Sequence, residues 1–358
     1  MHRSVRKILR KYGVLLLVLH VLFLVILASS CQGPAGAAGT AGPVGPAGPA
    51  GPAGPVGKVG VNAAETCADC HNDTTLIKAR QVQYAASKHG SGYTFERNGT
   101  DCAACHTAEG FILSLETGSK ALEAAVENPS PINCRTCHNI HDTYTEADWA
   151  LKVSDPVTLS TSGETLDFGK ANLCVNCHQP RDSYAVPVVG GGDVSIASTR
   201  YGPHHGPQST MLAGTGGYGE YTGGSTHFDL IEDACVTCHM QSAYGKQAGG
   251  HTWSMAYEYH ENEVQNTVAC VTCHAEADSF DMGGAVTEIQ ALGEELNSLL
   301  IAQNLITSSG SAVPGTYTSA QAGALWNYRM VILEDRSGGV HNPGYAKFLL
   351  QTGIDALK

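Results

Sequence analysis

The sequence predicts a mainly α and irregular fold of short helices and long loops, closed by a helical segment at the C-terminal end. Three observations predict it. Six Cys-x-x-Cys-His runs lie between residues 67 and 274, separated by 32 to 61 residues. Between them no long strand-like alternation occurs, and loop residues dominate, as in 190–193 and the Gly- and Tyr-rich 211–224. After residue 274 apolar residues recur three to four positions apart, the period of a helix with one buried face.

Taken in order, residues 1–31 read as an export signal. Five Lys or Arg and no acid precede an apolar run at 14–28, which is short for a membrane span and ends in small residues. The run closes on Leu27-Ala28-Ser29-Ser30-Cys31, which is similar to a bacterial lipoprotein signal, with Leu one position early. Cys31 is therefore the expected lipidation site, against an uncleaved anchor or a nearby cleavage that leaves a spare thiol. Removal of 1–30 takes away five basic side chains and no acidic one, moving the formal charge from −12 to −17. That balance excludes nucleic acid and anionic lipid as partners and suits cationic partners or metal ions.

Residues 32–62 form a linker or stalk. Gly stands at every third position from 33 to 60, with Pro directly after it at six of them, a collagen-like G-X-Y pattern. Two readings fit: a semi-rigid tether reaching roughly 80–90 Å at about 3.1 Å per residue, or a trimerising stalk. A stretch as poor in regular elements as 63–280 would ordinarily read as disordered, unless large apolar cofactors supply its core. Residues 281–358 carry helical patterns at 286–305 and 320–334, and a third starting at Asn342-Pro343, an N-cap followed by Pro in the first turn. These helices are expected to pack on the preceding region.

The Cys-x-x-Cys-His run is the attachment signal of c-type haem. The motif cysteines are Cys67 and Cys70, Cys102 and Cys105, Cys134 and Cys137, Cys174 and Cys177, Cys235 and Cys238, and Cys270 and Cys273. Each pair is expected to add across the vinyl groups of one haem as thioethers. The adjoining His71, His106, His138, His178, His239 and His274 then reach the iron from the proximal side. Zinc sites use paired CxxC units, and disulfide redox sites use one, but neither needs a His after every pair. Six covalently attached haems c are therefore expected.

Each iron has a second axial position, and eight further histidines follow residue 31: His89, His141, His204, His205, His227, His251, His260 and His341. His141 lies three residues after His138, on the same turn if that turn is helical. It cannot bind the same iron face, so it is expected to reach the iron of an adjacent haem.

The chain resembles the multihaem cytochromes c of the class that includes cytochrome c nitrite reductase, hydroxylamine oxidoreductase and tetrahaem cytochrome c554. It is also similar to the outer-surface multihaem cytochromes of metal-reducing bacteria. The stretches that carry the resemblance are CRTCHNIH at 134–141, GPHHGPQSTMLAGTGGY at 202–218, EDACVTCHM at 232–240 with GGHTW at 249–253, and GGVHNPGYAKFLL at 338–350. The resemblance implies distal iron ligands at His89, His204 (or His205), His227, His251 and His341, beside His141. His260 matches none of these contexts and is the expected spare. Two departures stand out: the chain has no CxxCK haem, which opens a substrate position in the nitrite reductases, and no seventh or eighth CxxCH.

Six irons closed by two histidines each make an electron carrier, exported and held at the outer membrane or cell surface, or else in the periplasm. Its expected partners are other redox proteins or extracellular metal acceptors, with the membrane engaged through the lipid at Cys31 and a homotrimer or filament as the assembly. The alternative is an oxidoreductase reducing a small nitrogen or sulfur oxyanion at one open haem. No motif marks such a haem, and the acidic surface does not draw an anion in.

Overall fold

The computed structural model describes residues 71, 76–92, 94–181, 183–204 and 206–358. The export signal, Cys31, the collagen-like tract, Cys67, Cys70 and His205 lie outside the described residues.

Helices α1 (Leu76–Ala86) and α2 (Lys88–Ser91) open the described chain, and the Ser87 hydroxyl caps α2 by accepting from the Gly90 N–H. The second motif winds into the single turn α3 (Ala103–His106), and Thr107 directly caps α4 (Ala108–Thr117), which ends at the left-handed Gly118. The third motif forms α5 (Cys134–Cys137), started by a capping box in which Asn133 and Thr136 exchange side-chain and backbone bonds. The fourth motif lies on α6 (Asn172–Val175). Helices α7 (Gln208–Ala213) and α8 (Thr226–Leu230) precede α9 (Cys235–His239), the fifth motif, and the sixth takes a 3₁₀ turn at Cys270–Thr272.

Strands are few and short. β1 (Val157–Thr158) pairs with β2 (Thr165–Leu166), β3 (Val194–Ile196) with β6 (Gly315–Tyr317), and β4 (Ala256–Tyr259) with β5 (Asn262–Gln265), all antiparallel. The β3–β6 pair ties the loop-rich middle of the chain to its C-terminal part, with Ile196 opposite Gly315.

The buried apolar side chains form a larger and a smaller core. The larger one belongs to α10 (Ala285–Ala302), α11 (Ser319–Tyr328) and α12 (Pro343–Leu357), which bury Leu296, Leu300, Leu325, Trp326, Leu349 and Ile354. Fully burying each such side chain contributes about 1.5–3 kcal/mol. Asn327, inside this core, accepts from the Tyr218 N–H and donates to the Tyr218 and Leu349 carbonyls, so the Gly-rich loop is pinned to the helices. Gly323 permits that contact, because a Cβ there would fall 2.2 Å from the Tyr218 ring. A smaller cluster of Val157, Leu159, Leu166, Phe168 and Val175 backs the fourth motif.

Two expectations need revision. The pattern at 320–334 is not one α-helix: α11 stops at Tyr328 and the chain continues as a π-helix, Arg329–Asp335. Nor does helical spacing place His141. Helix α5 ends at Cys137, His138 is extended, and His141 takes a left-handed conformation with φ 70°. Its loop is organised by Asp148, whose carboxylate accepts from the N–H groups of His141, Thr143 and Tyr144 and from the Thr143 hydroxyl.

Candidate haem-binding site

The described motifs line one cavity of about 2610 Å³. A drug-sized cleft runs to roughly 300–1,000 Å³, so this space suits several large cofactors rather than one. All six motif histidines line it, together with His89, His141, His204, His227, His251 and His341. His260 does not line it. It sits at the β4–β5 turn with φ 49°, its ring against Tyr259 at 4.2 Å between centres.

Five motif histidines each face one of the other histidines across this space. The ring centres of His71 and His141 are 6.1 Å apart, those of His89 and His178 6.2 Å, and those of His239 and His341 6.2 Å. His138 and His251 stand 6.4 Å apart, as do His227 and His274. Two imidazoles sharing one metal, each nitrogen about 2.0 Å from it and about 1.1 Å from its own ring centre, stand about 6.2 Å apart. Ordinary aromatic packing spreads over about 4.5–7 Å, whereas these five pairs cluster between 6.1 and 6.4 Å. The residues fit a metal-centred group between each pair.

The outer nitrogens agree with this. Nδ1 of His138 donates to the Trp149 carbonyl at 2.7 Å, that of His239 to the Trp253 carbonyl at 2.9 Å, and that of His227 to the Val340 carbonyl at 2.9 Å. Gln208 Oε1 takes the same role for His178 at 3.3 Å, and Asp335 Oδ1 for His341 at 2.6 Å. A proton fixed on Nδ1 leaves the Nε2 lone pair free for a metal and holds the ring in orientation. Burial, with help from His178, pushes the His89 imidazole down to about 4, and burial with Arg80 and His138 does the same for His251. Both rings are therefore neutral at neutral pH, the form that ligates.

Among the described residues no three His, Cys, Asp or Glu side chains converge on one point, as a protein-only metal cage requires. None of the ten described motif cysteines is in a disulfide. Paired thiols, one histidine beside them and a second facing it fit a macrocycle held at its edge and ligated on both faces.

Contacts between motifs join the pairs to one another. The 138–141 segment serves two pairs, with His138 facing His251 and His141 facing His71. Cys105 of the second motif meets Cys177 of the fourth, and Cys174 of the fourth meets Cys235 of the fifth. The Val340 carbonyl holds His227 while the next residue, His341, faces His239. Trp253 touches three pairs: its ring lies 4.7 Å from His89 and 5.6 Å from His251, and its carbonyl accepts from His239. It is held at φ 54°, unusual for a bulky residue, so its surroundings impose the position. Sequence reasoning singled out neither Trp253 nor Asp335. The GGHTW stretch marked the region, but only for its histidine.

Comparison with known proteins points to multihaem cytochromes. Residues 57–139 match the family described as Cytochrome c7 and related cytochrome c. The C-type polyheme cytochrome OmcB of two Geobacter sulfurreducens strains is 26% identical over 226 residues, 53% of this chain and 30% of the relative. The chain thus spans less than a third of the length of these curated relatives. Among solved structures it is similar to the Outer Cell Wall Cytochrome OcwA, with TM-score 0.49 and 20% identity, covering 78% of this chain and 50% of that one. The undecaheme cytochrome from the S-layer of Carboxydothermus ferrireducens follows, with TM-score 0.39, 17% identity and coverage of 78% and 40%. The chain is similar to the multihaem c-type cytochromes, and that similarity implies covalently bound haem c.

Proposed function

We propose that this chain is an electron-transfer protein carrying six covalently attached haems c, each closed on both faces by histidine. The observation that carries the reading is the set of five facing histidine pairs, 6.1–6.4 Å between ring centres, around a common cavity. The haem supplies one-electron exchange of its iron. The chain's own task is to hold two neutral imidazoles per iron in one orientation, so that oxidation and reduction need little rearrangement.

The proposed thioether pairs are those of the six motifs, with proximal ligands at His71, His106, His138, His178, His239 and His274. The structure supports distal roles for His141, His251, His89, His341 and His227 respectively in the first, third, fourth, fifth and sixth motifs. His204, which also lines the cavity, is the proposed distal ligand of the second. The shared segments and Trp253 suit a branched path: the third, fourth and fifth motifs meet, with the first, second and sixth on the arms.

The export signal, lipidation at Cys31 and the spacer at 32–62 would place this path outside the cytoplasm, facing partner cytochromes or extracellular metal acceptors. The test is to reduce the haem-loaded chain and offer it acceptors. Rapid reoxidation by ferric oxide particles, with no turnover of nitrite, hydroxylamine, sulfite or tetrathionate, is expected. Catalytic turnover of any of these anions would overturn the carrier reading.

A further inference from the structure

The π-helix at Arg329–Asp335 is the least ordinary element of the C-terminal part, since such helices are rare and often mark functional positions. Its last two residues reach two different histidine pairs. The Glu334 carbonyl accepts from Gln208 Nε2 at 2.9 Å, and Gln208 Oε1 in turn accepts from His178 of the fourth motif. Asp335 bonds His341 directly, opposite His239 of the fifth motif. One turn of backbone therefore gives one pair a neutral amide and its neighbour a full negative charge.

The Asp335 side chain is 0% exposed. Its other oxygen accepts from the Ser337 hydroxyl, and the Ser337 oxygen accepts from the Gly339 N–H, so the carboxylate is clamped. The adjacent Arg336, left-handed at φ 59°, turns its Nε back to the Leu333 carbonyl. The buried Glu334 pairs with Arg329. A buried carboxylate with this geometry needs a reason, because desolvating it is costly unless it acts on something.

We propose that Asp335 gives the haem of the fifth motif the lowest potential among the five facing pairs, with the π-helix aiming the carboxylate at His341. This rests on the electron-transfer reading above and deepens it. A carboxylate accepting the Nδ1 proton draws the ring towards imidazolate, a stronger donor that stabilises Fe(III) over Fe(II). The Trp149 and Val340 carbonyls and Gln208, which serve the third, sixth and fourth pairs, do this more weakly, since none carries a charge. The fifth motif also adjoins the fourth, through Cys174 and Cys235, and the sixth, through Val340 and His341. Electrons crossing there climb a step, one iron being reduced as its neighbour is oxidised.

The test is a stepwise reduction of the haem-loaded full chain followed by NMR, each haem being assigned through contacts with its own motif side chains, Val236 and Thr237 for the fifth. In the wild type the fifth-motif haem is expected to be the last of the five to accept an electron. Asp335→Asn keeps the shape and removes the charge, and it should move that haem earlier in the order while the other four keep theirs. Gln208→Glu should move the fourth-motif haem later. An earlier place for the fifth haem in the wild type overturns the proposal, and so does an order that Asp335→Asn leaves unchanged. If Asp335→Asn fails to load haem, the wild-type order decides. A high-spin signal from the fifth-motif iron before titration would instead sink the histidine pairing itself, a failure distinct from a wrong order.

Discussion

His71 and His141 stand 6.1 Å apart between ring centres although seventy residues separate them, while His138, on the same segment as His141, faces His251. One short piece of backbone thus serves two histidine pairs. His141→Ala should leave the first-motif iron with a single protein ligand and produce one high-spin signal. The haem count should stay unchanged, because the thioether bonds remain. A variant that stays fully low-spin by EPR would show that His141 is not that ligand.

Asp148 is the device that presents His141. The hydrogen bonds it accepts, first from the Thr143 side chain and then from the Thr143, Tyr144 and His141 N–H groups, hold its carboxyl below the usual range. Because the native value is depressed, the loop is stabilised above the unfolded value of about 3.9 and loses that support as pH falls through the native one. Asp148→Ala at neutral pH, and the wild type well below pH 4, are both expected to develop the same high-spin signal as His141→Ala. Optical spectra across an acid titration check this, and a first-motif signal indifferent to both changes would contradict it.

Trp253 touches His251, His89 and His239, one histidine in each of the pairs of the third, fourth and fifth motifs. Trp253→Ala should therefore perturb three low-spin signals together and leave the first and sixth motifs alone. Perturbation of a single signal would reduce Trp253 to ordinary packing. The cost in stability should approach the roughly 3–5 kcal/mol of an aromatic truncation, softened because the ring is only half-buried.

The histidine at the β4–β5 turn makes the opposite prediction. His260→Ala should keep every haem and every low-spin signal, since its ring packs on Tyr259 away from the cavity. Appearance of a high-spin iron would mean that the spare has been assigned to the wrong residue.

Local signals in the chain are legible and distant pairings are not. The motif turns, the Thr107 and Asn133 caps and the Asn342-Pro343 helix start are written in neighbouring residues, and they can be read without a fold. The histidines that face one another are brought together from far apart, as with His138 and His251 or His239 and His341, and nothing local encodes that. His141 shows the limit well. Its spacing from His138 suggested a helical turn, whereas a carboxylate seven residues on sets its left-handed backbone. Asp335 and Trp253 were missed for a related reason. They act through a π-helix and a strained loop, and neither has a compositional signature.

Closure of every iron by two histidines can be read from a single experiment. EPR of the oxidised, haem-loaded full chain, with the haem count taken from the pyridine haemochrome, reads spin state per iron. Six haems and low-spin signals only are expected, with the near-perpendicular His227–His274 pair (87° between rings) distinct in shape from the tilted His138–His251 pair (33°). A stoichiometric high-spin signal from one iron in the wild type would contradict it and make an open, substrate-binding haem the reading to pursue.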